Sequence, residues 1–315
     1  MFRLSVLTTC LALTLTIPVE AQEDRLVRLS TGSLAGAYFP VGVAICRTIN
    51  KTRREHGLRC AAIASDGSLD NINRLRDGAA EMALVQSDTQ RAAVNGQVDA
   101  PFTELRALLS LHAEPLTVVT RADSGVTGIQ DLSGKRVSIG GSSQLPLWRG
   151  ASEAAGLQPD SYEEVSGIAP EQQARALCDG EVDAFAMVIG HPARTVQEAT
   201  LGCESRILNI SGPAVTDLAA ENAAWFPADI PGKLYQGNPE PIDTIGVGAT
   251  LVTTSAVPDA VVEIVLSSIF DNLDQLRGFE PVLADLSQTS MTGIGLSAPL
   301  HAAAEAFYGD RGWTE

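Results

Sequence analysis

The clearest candidate for ligand chemistry is a glycine-containing stretch near the start of the chain, residues 31–40, with the sequence TGSLAGAYFP. An alternating apolar run precedes it and an apolar run with helical spacing follows it, so the pattern predicts a strand, a tight loop and a helix. Gly32 and Gly36 permit the tight loop, and Pro40 suits the first helical turn. Free amides at such a turn can bind a carboxylate or another small anion. Nearby hydroxyl groups come from Thr31, Ser33 and Tyr38.

A tight connection without any ligand is the alternative interpretation of this stretch. Neither of the two phosphate-binding loop patterns, GxGxxG and GxxxxGKS/T, is present. The remaining polar turns of the chain therefore matter for the choice between a binding loop and a plain connection.

Other predicted strands are also followed by short segments of polar residues and glycines. They are Ser65, Asp66, Gly67 and Ser68 at the start of a helix, Gln86 and Ser87 at a strand end, and the loop Gly140, Gly141, Ser142 and Ser143. Gln86 and Ser87 can hydrogen-bond a polar ligand, whereas Asp88 would repel a carboxylate and instead suits an amino group or the start of a helix. His191 also follows a predicted strand end, as either a structural histidine or a ligand contact.

The sequence contains no recognised catalytic arrangement. None of the four histidines lies in a known nucleophilic pattern, and the GxSxG motif of serine hydrolases is absent. There is also no CxxC or HxxxH pair, so a zinc site is disfavoured. We therefore expect a binding protein rather than an enzyme, with no metal and no cofactor.

An internal repeat predicts two similar α/β halves. Residues 75–85 match residues 177–187 at a constant offset, 177 − 75 = 102, and each copy reads as a helix end followed by a short apolar strand. Gly78 and Gly180 occupy the positions where a left-handed residue closes a helix. Strands separated by helices indicate parallel sheets, whose ligand sites lie at the carboxyl ends of the strands.

Two β-rich runs, residues 115–120 and 244–253, are predicted to cross between the halves. Lobe one would comprise residues 22–115 with 250–315, and lobe two residues 116–249. Two lobes joined by two strands form a hinged cleft that closes around a ligand. In the tail, residues 255–276 predict one amphipathic helix entered through Pro258.

The N-terminus predicts export. Arg3, an apolar run over residues 4–17 and the small residues Val19 and Ala21 are typical of a signal peptide, residues 1–21, that is cleaved before Gln22. The run is too short to cross a bilayer of about 30 Å as a helix, so we expect a periplasmic protein without direct membrane insertion. A lipid anchor on Cys10 is a weaker alternative, because this cysteine lies inside the run.

Composition narrows the possible partners. The net charge is −16, and it stays −16 after cleavage because Arg3 and Glu20 cancel, so nucleic acid and anionic lipid are poor partners. Aromatic residues make up 5% of the chain, which argues against a sugar-stacking surface. Four cysteines besides Cys10 suggest two disulfides in an oxidising compartment, with three pairings possible.

Seven segments together resemble the TAXI family of TRAP-transporter solute receptors. They are TGSLAGAYFPVGVAICRTINK, SDGSLDN, LVQSD, SLHAEPLTVVTRADSG, DLSGKRVSIG, ALCDGEVDAFAMVIGHP and APLHAAAEAFYGDRGW, in family order over nearly the whole mature chain. The resemblance implies a type II periplasmic-binding-protein fold. It also implies a receptor that binds a small organic anion, such as glutamate, 2-oxoglutarate or another carboxylate, and delivers it to TRAP permease subunits in the membrane.

The resemblance also assigns residues. It places ligand loops at residues 31–38, at 65–68, at Gln86 with Ser87, and at 141–144, which adds Gln144 to the candidates. It favours the disulfides Cys46–Cys60 and Cys178–Cys203. The loop after Ile139 is shorter than in the family, so the identity of the ligand transfers least well.

Two other functions stay open from the sequence. A periplasmic subunit that senses a ligand for a signalling partner would share the cleft. A periplasmic enzyme on the same fold would depend on residues such as His191 or Asp88.

Overall fold

A computed structural model describes residues 25–34, 36–141 and 144–313. The predicted signal peptide and two candidate loop residues, Ser142 and Ser143, lie outside these ranges. Within them, no helix combines the length and the apolar character that crossing a bilayer requires.

The strands and helices alternate along most of the chain. The strands are β1 (Arg25–Ser30), β2 (Leu58–Ile63), β3 (Met82–Gln86), β4 (Leu105–Arg121), β5 (Arg136–Ile139), β6 (Glu163–Val165), β7 (Ala184–Val188), β8 (Ser205–Ile207), β9 (Phe226–Ile230) and β10 (Ile242–Thr254). The helices are α1 (Tyr38–Lys51), α2 (Arg53–His56), α3 (Ser68–Arg76), α4 (Ser87–Val94), α5 (Leu145–Ala154), α6 (Gln173–Cys178), α7 (Arg194–Gly202), α8 (Pro213–Glu221), α9 (Asp259–Phe270), α10 (Leu273–Arg277), α11 (Gln288–Gly293) and α12 (Ala302–Asp310).

The sheet order is β2-β1-β3-β10-β4-β7-β5-β6. In the first half β1 pairs in parallel with β2 and β3, and in the second half β5 pairs in parallel with β6 and β7. The long strands β4 and β10 run antiparallel to each other and belong to both halves. This arrangement confirms the predicted fold class, two α/β lobes joined by two strands.

The buried apolar side chains form two separate groups, and the boundary between the groups lies at β4 and β10. One group comes from residues 27–111 and 249–308, and the other from residues 116–247. Each lobe thus buries its own apolar residues, and the polar loops at the strand ends are left between them.

Each lobe contains one disulfide. Cys46 in α1 is bonded to Cys60 in β2, and Cys178 at the end of α6 is bonded to Cys203 just after α7. These are the pairs that the family resemblance favoured among the three possibilities.

The internal repeat has a matching hydrogen-bond pattern in the two lobes. In lobe one, the backbone amide of Arg28 donates to Glu81 at 2.7 Å, and its guanidinium donates to the Gly78 carbonyl at 2.9 Å. In lobe two, Arg136 donates in the same way to Asp183 at 2.8 Å and to the Gly180 carbonyl at 2.9 Å. The acidic residue of each repeat therefore fixes the start of a strand next to its partner strand.

The predicted tail helix is interrupted. Residues 255–257 precede the first helix, and α9 and α10 are separated at Asp271 and Asn272. The Asn272 side chain donates to the Ser268 carbonyl at 2.9 Å, and its backbone leaves the helical region at φ −124° and ψ 28°. An asparagine side chain can compete for a backbone hydrogen bond in this way. The apolar spacing of the sequence does not predict such an interruption.

Candidate functional site

The loop after β1 is held to the neighbouring strand by its own backbone. The Thr31 amide and hydroxyl both donate to the Ile63 carbonyl, at 2.9 and 2.8 Å, and the Ser65 amide donates to the Gly32 carbonyl at 3.1 Å. The hydroxyl of Thr31 is therefore used to position the loop. Ser33 is exposed, and its carbonyl accepts from the Gly36 amide at 3.1 Å.

The loop leads into α1 without a side-chain cap. The residue before the helix is Ala37, which cannot accept a hydrogen bond through its side chain, and the first turn contains no acidic residue. Pro40 lies in this first turn, as predicted. A methyl group on Gly32 would come within 3.0 Å of the Tyr38 Cβ, so this glycine allows the loop and the helix to approach.

Two predicted site residues, Tyr38 and Gln86, converge on Glu114, which the sequence patterns did not single out. The Tyr38 hydroxyl and the Gln86 side-chain amide both donate to Oε2 of Glu114, at 3.0 and 2.9 Å. The Ser68 hydroxyl accepts from the Gln86 backbone amide at 3.1 Å and also interacts with the Tyr38 hydroxyl. The start of α1 and the end of β3 thus meet the crossing strand β4 at one carboxyl group.

Glu114 is almost completely buried, with 4% of its surface exposed. Burial raises the pKa of this carboxyl group to about 7, although the hydrogen bonds from Gln86 and Tyr38 oppose the shift. Burial also raises the pKa of Asp88 to about 6, and the Asp88 charge adds to the shift of Glu114. Near neutral pH Glu114 can therefore hold a proton and donate a hydrogen bond, whereas Asp88 holds one mainly below about pH 6.

Asp88 opens onto a groove between the lobes. The groove has a volume of about 540 Å³. Lobe one contributes Leu69, Asp88 and Arg91, and lobe two contributes Pro146 and Trp225. The groove is large enough for a small organic molecule, and both lobes can contact it there.

The loop predicted after β5 begins at Gly140 and Gly141, in lobe two. Gly140 and Gly141 line a shallow cavity of about 470 Å³ together with Ser166 and Gly167. The Gln144 side-chain oxygen accepts from the Val188 amide at 3.0 Å, which ties the start of α5 to the end of β7. One acceptor position of that oxygen is therefore used to hold the start of α5 in place.

Ser87 connects the lobes rather than facing the groove. Its hydroxyl donates to the Ala224 carbonyl at 2.7 Å and accepts from the Gly248 amide at 2.9 Å. Because the residue is fully buried, these contacts favour a structural role over the predicted ligand contact.

Both ring nitrogens of His191 also have partners. Nε2 lies 2.9 Å from the Thr117 hydroxyl, and Nδ1 lies 2.6 Å from the Tyr235 hydroxyl. Burial lowers its pKa to about 4, so the ring is neutral at neutral pH. The structural interpretation of this histidine is favoured over the ligand contact.

Among the described residues, no three histidine, cysteine or acidic side chains form a group that could hold a metal ion.

A sequence model of the NMT1-like family matches residues 29–312, which is most of the chain. The protein belongs to the NMT1-like family. The narrower similarity to the TAXI receptors remains a prediction.

Solved structures with a similar fold include three binding proteins. The periplasmic aliphatic sulphonate binding protein SsuA from Escherichia coli has 14% identity and a TM-score of 0.53, with 92% of this chain and 94% of that chain covered. The alkanesulfonate-binding protein SsuA from Xanthomonas axonopodis pv. citri has 14% identity and a TM-score of 0.50, covering 93% and 96%. A ligand-binding component of an ABC-type import system from Staphylococcus aureus has 9% identity and a TM-score of 0.51, covering 92% and 93%. This NMT1-like protein therefore has the two-lobe fold of periplasmic solute-binding proteins.

Glu114 could have been noticed in the sequence of this NMT1-like protein. It is the one charged residue in the run SLHAEPLTVVT, residues 110–120, which otherwise reads as a buried strand. A charged residue in such a run must be paired or must change its pKa. What the pattern could not show is that Tyr38 and Gln86 are its partners.

Proposed function

We propose that this protein is a solute receptor of the TAXI kind that binds a small organic anion between its lobes. The proposed ligand is glutamate, 2-oxoglutarate or another carboxylate, and the proposed partner is a TRAP permease in the membrane. A signal peptide, residues 1–21, would export the receptor to the periplasm. The proposed lobes are residues 22–115 with 250–315, and residues 116–249, in line with the division of the buried apolar residues.

The convergence of Tyr38, Ser68, Gln86 and Glu114 at the uncapped start of α1 is the observation that carries the proposal. These groups come from the first residues of α1 and α3, the end of β3 and the crossing strand β4, and a type II receptor would bind its solute at such an edge of the sheet. The sulphonates named for the two SsuA neighbours are anions, which supports an acidic solute.

The buried Glu114 and the half-buried Asp88 affect how an anion could bind beside them. A bound carboxylate next to an ionised Glu114 or Asp88 would be repelled, so its binding requires that a proton be held there. Glu114 and Asp88, with pKa values of about 7 and about 6, can take up that proton near neutral pH. Their acidic hydrogen atoms would then donate to the bound anion, beside the amides of the first turn of α1.

The proposal predicts that a carboxylate stabilises the protein more strongly at lower pH. A panel containing L-glutamate, 2-oxoglutarate and other dicarboxylates, with glucose as an uncharged control, would be screened by thermal shift at about pH 6 and about pH 8. A ligand at 100-fold its dissociation constant adds about 2.7 kcal/mol to the stability.

A matched variant assigns the site in the same assay. Tyr38→Phe removes one hydroxyl from the Glu114 cluster and retains the ring, so the variant should fold and lose ligand affinity. The absence of a response to every carboxylate at both pH values would contradict the proposal. Uptake driven by a sodium gradient would support the TRAP permease, whereas uptake that requires ATP would indicate an ABC-type importer.

A further inference from the structure

The groove between the lobes contains an arginine without a partner. Arg91 in α4 is half-buried and lines the groove, and its guanidinium group forms no ion pair or hydrogen bond with any residue that the structure describes. By contrast, Arg74 and Arg76 in α3 each pair with an aspartate. The described buried side-chain atoms that lack a partner belong to residues other than Arg91, so its guanidinium nitrogens keep accessible surface. A ligand in the groove can therefore reach this arginine.

Asp88, one helical turn before Arg91, offers the opposite charge in the same groove. Its Oδ1 accepts from the Thr89 amide at 2.6 Å, which holds the carboxyl group at the start of α4. Its Oδ2 has no partner among the described residues, and this atom also keeps accessible surface. Burial raises the pKa of Asp88 to about 6, so the carboxyl group is mainly ionised at about pH 8. Because Asp88 and Arg91 do not pair with each other in the described chain, both charges are available to a ligand.

Lobe two adds one more charged residue to the groove, the exposed Glu221 at the end of α8. The described lining therefore contains two acidic side chains and one arginine. A ligand that carried only a carboxylate would leave both acidic groups unpaired and close to its own charge. A ligand that carried only an ammonium group would leave Arg91 unpaired. The charges of the groove thus favour a solute that carries both groups.

The groove also offers an apolar surface from both lobes. In lobe one, Leu69 and Val98 are 37% and 43% exposed, although most large apolar side chains of the described chain are buried. In lobe two, Trp225 packs against the buried residues of that lobe and lines the groove together with Pro146. Exposed apolar side chains that are gathered in a concave site are typical of ligand contacts. They fit a solute that has an apolar side chain.

We propose that the solute of this receptor is an α-amino acid with an apolar side chain. Its carboxylate pairs with Arg91, and its ammonium group pairs with Asp88. Its side chain packs against Leu69, Val98 and Trp225. The inference rests on the proposed function, because it starts from a carboxylate that binds between the lobes, and it narrows the class of solute.

The groove adjoins the cluster of Tyr38, Gln86 and Glu114, since the Asp88 charge raises the pKa values of both Tyr38 and Glu114. A solute held by Arg91 and Asp88 therefore occupies the same interlobe site and not a second one. Its ammonium group also offsets the repulsion between the solute's own carboxylate and an ionised Asp88.

Four small molecules of related shape separate the three contacts. L-phenylalanine has the carboxylate, the ammonium group and an apolar ring. The compound 3-phenylpropanoate lacks the ammonium group, 2-phenylethylamine lacks the carboxylate, and L-alanine lacks the ring. In isothermal titration calorimetry of the wild-type protein at about pH 8, L-phenylalanine should bind most tightly, and the other three should each bind about tenfold more weakly or worse.

Two variants assign the charged contacts. Arg91→Gln should weaken the binding of L-phenylalanine and 3-phenylpropanoate about tenfold or more, and should not weaken that of 2-phenylethylamine, which has no carboxylate. Asp88→Asn keeps an acceptor for the Thr89 amide. It should weaken the binding of L-phenylalanine and 2-phenylethylamine, and not that of 3-phenylpropanoate. Arg175→Gln changes an exposed arginine of lobe two outside the groove, so this control should bind all four molecules as the wild type does.

Two results would overturn the inference. One is that 3-phenylpropanoate binds the wild-type protein as tightly as L-phenylalanine does. The other is that a folded Arg91→Gln or Asp88→Asn variant keeps the wild-type affinity for L-phenylalanine. If a variant does not fold, the four molecules on the wild-type protein decide.

The same titrations separate this inference from the proposed function. Binding of L-glutamate or 2-oxoglutarate without binding of L-phenylalanine would contradict the inference and leave the proposed function in place. The absence of binding by every carboxylate, L-phenylalanine included, would contradict both.

Discussion

At the scale of single residues, Glu114 combines nearly complete burial with two donors on one oxygen. Tyr38 and Gln86 satisfy Oε2, yet the cost of removing the charge from water exceeds what these bonds return, and the pKa rises to about 7. Tyr38 shows the complementary effect, since burial and then the adjacent Glu114 raise its pKa well above the usual value. The cluster is thus built to hold a proton.

The raised pKa of Glu114 predicts how stability depends on pH. Between about pH 4.5, where the unfolded carboxyl group titrates, and about pH 7, the folded state binds more protons, so stability falls as the pH rises through this window. Glu114→Gln keeps the shape and an oxygen acceptor without the charge. It should be more stable than wild type by roughly 2–3 kcal/mol at about pH 8, and by much less at about pH 5.

Urea unfolding at the two pH values measures this difference. Glu171→Gln, a change at an exposed carboxylate, is the matched control and should follow the wild type at both. A Glu114→Gln variant that is no more stable at the higher pH would show that Glu114 is ionised in the folded protein at little cost.

At the scale of elements, the two repeats use the same device to pass from a helix to a strand. Gly78 and Gly180 have positive φ angles of 67° and 74°, and the carbonyl of each accepts from an arginine on the adjacent strand. The acidic residue three positions after each glycine, Glu81 or Asp183, pairs with the same arginine. Helix end, glycine, carboxylate and strand are therefore one unit that the chain uses twice.

Alanine at either glycine should test this unit. A Cβ atom at Gly78 or Gly180 would meet nothing within 4 Å, so the cost comes from the left-handed backbone alone. We expect Gly78→Ala and Gly180→Ala each to lower the free energy of unfolding by roughly 1–2 kcal/mol. Gly309→Ala, inside α12 without a positive φ or a close neighbour, should instead be neutral or stabilising.

Chemical denaturation of the three variants compares them directly. If Gly309→Ala is as destabilising as the other two changes, the backbone angle is not the reason for the glycines at positions 78 and 180.

At the scale of the whole molecule, β4 and β10 carry the chain between the lobes, and Ser87 adds a link beside them. From the start of α4 in lobe one, its hydroxyl contacts Ala224 in lobe two and Gly248 on β10. Hinged receptors open and close by changing such contacts between their lobes. The Ser87 link therefore favours the arrangement of the lobes seen in this structure.

Removing the hydroxyl should loosen that arrangement. Ser87→Ala leaves the buried Gly248 amide without its acceptor, which costs roughly 1–3 kcal/mol. In the absence of ligand, the variant should also have a larger radius of gyration by small-angle X-ray scattering. Thr216→Ala removes an exposed hydroxyl of α8 and should change neither quantity. Equal stability and size for Ser87→Ala and wild type would show that Ser87 does not hold the lobes together.

Much of the fold could be predicted from local patterns. The alternation of strands and helices, the repeat at residues 75–85 and 177–187 and the two crossing strands are properties of neighbouring residues, and the structure contains them. The break between α9 and α10 was missed because the apolar spacing continues across it while Asn272 takes a backbone hydrogen bond. Periodicity reports which side of a helix is buried, and not where a side chain interrupts it.

Residue spacing along the chain is enough to predict the two α/β lobes and the polar turns at the strand ends, and the number of cysteines is enough to predict two disulfides. The contacts that those turns make depend on how the whole chain is folded. Tyr38 meets Glu114 across 76 positions of the chain, and Ser87 meets Ala224 across 137. Such distant pairs depend on the order in which strands join the sheet, and burial there, rather than residue type, sets the charge of each carboxyl group.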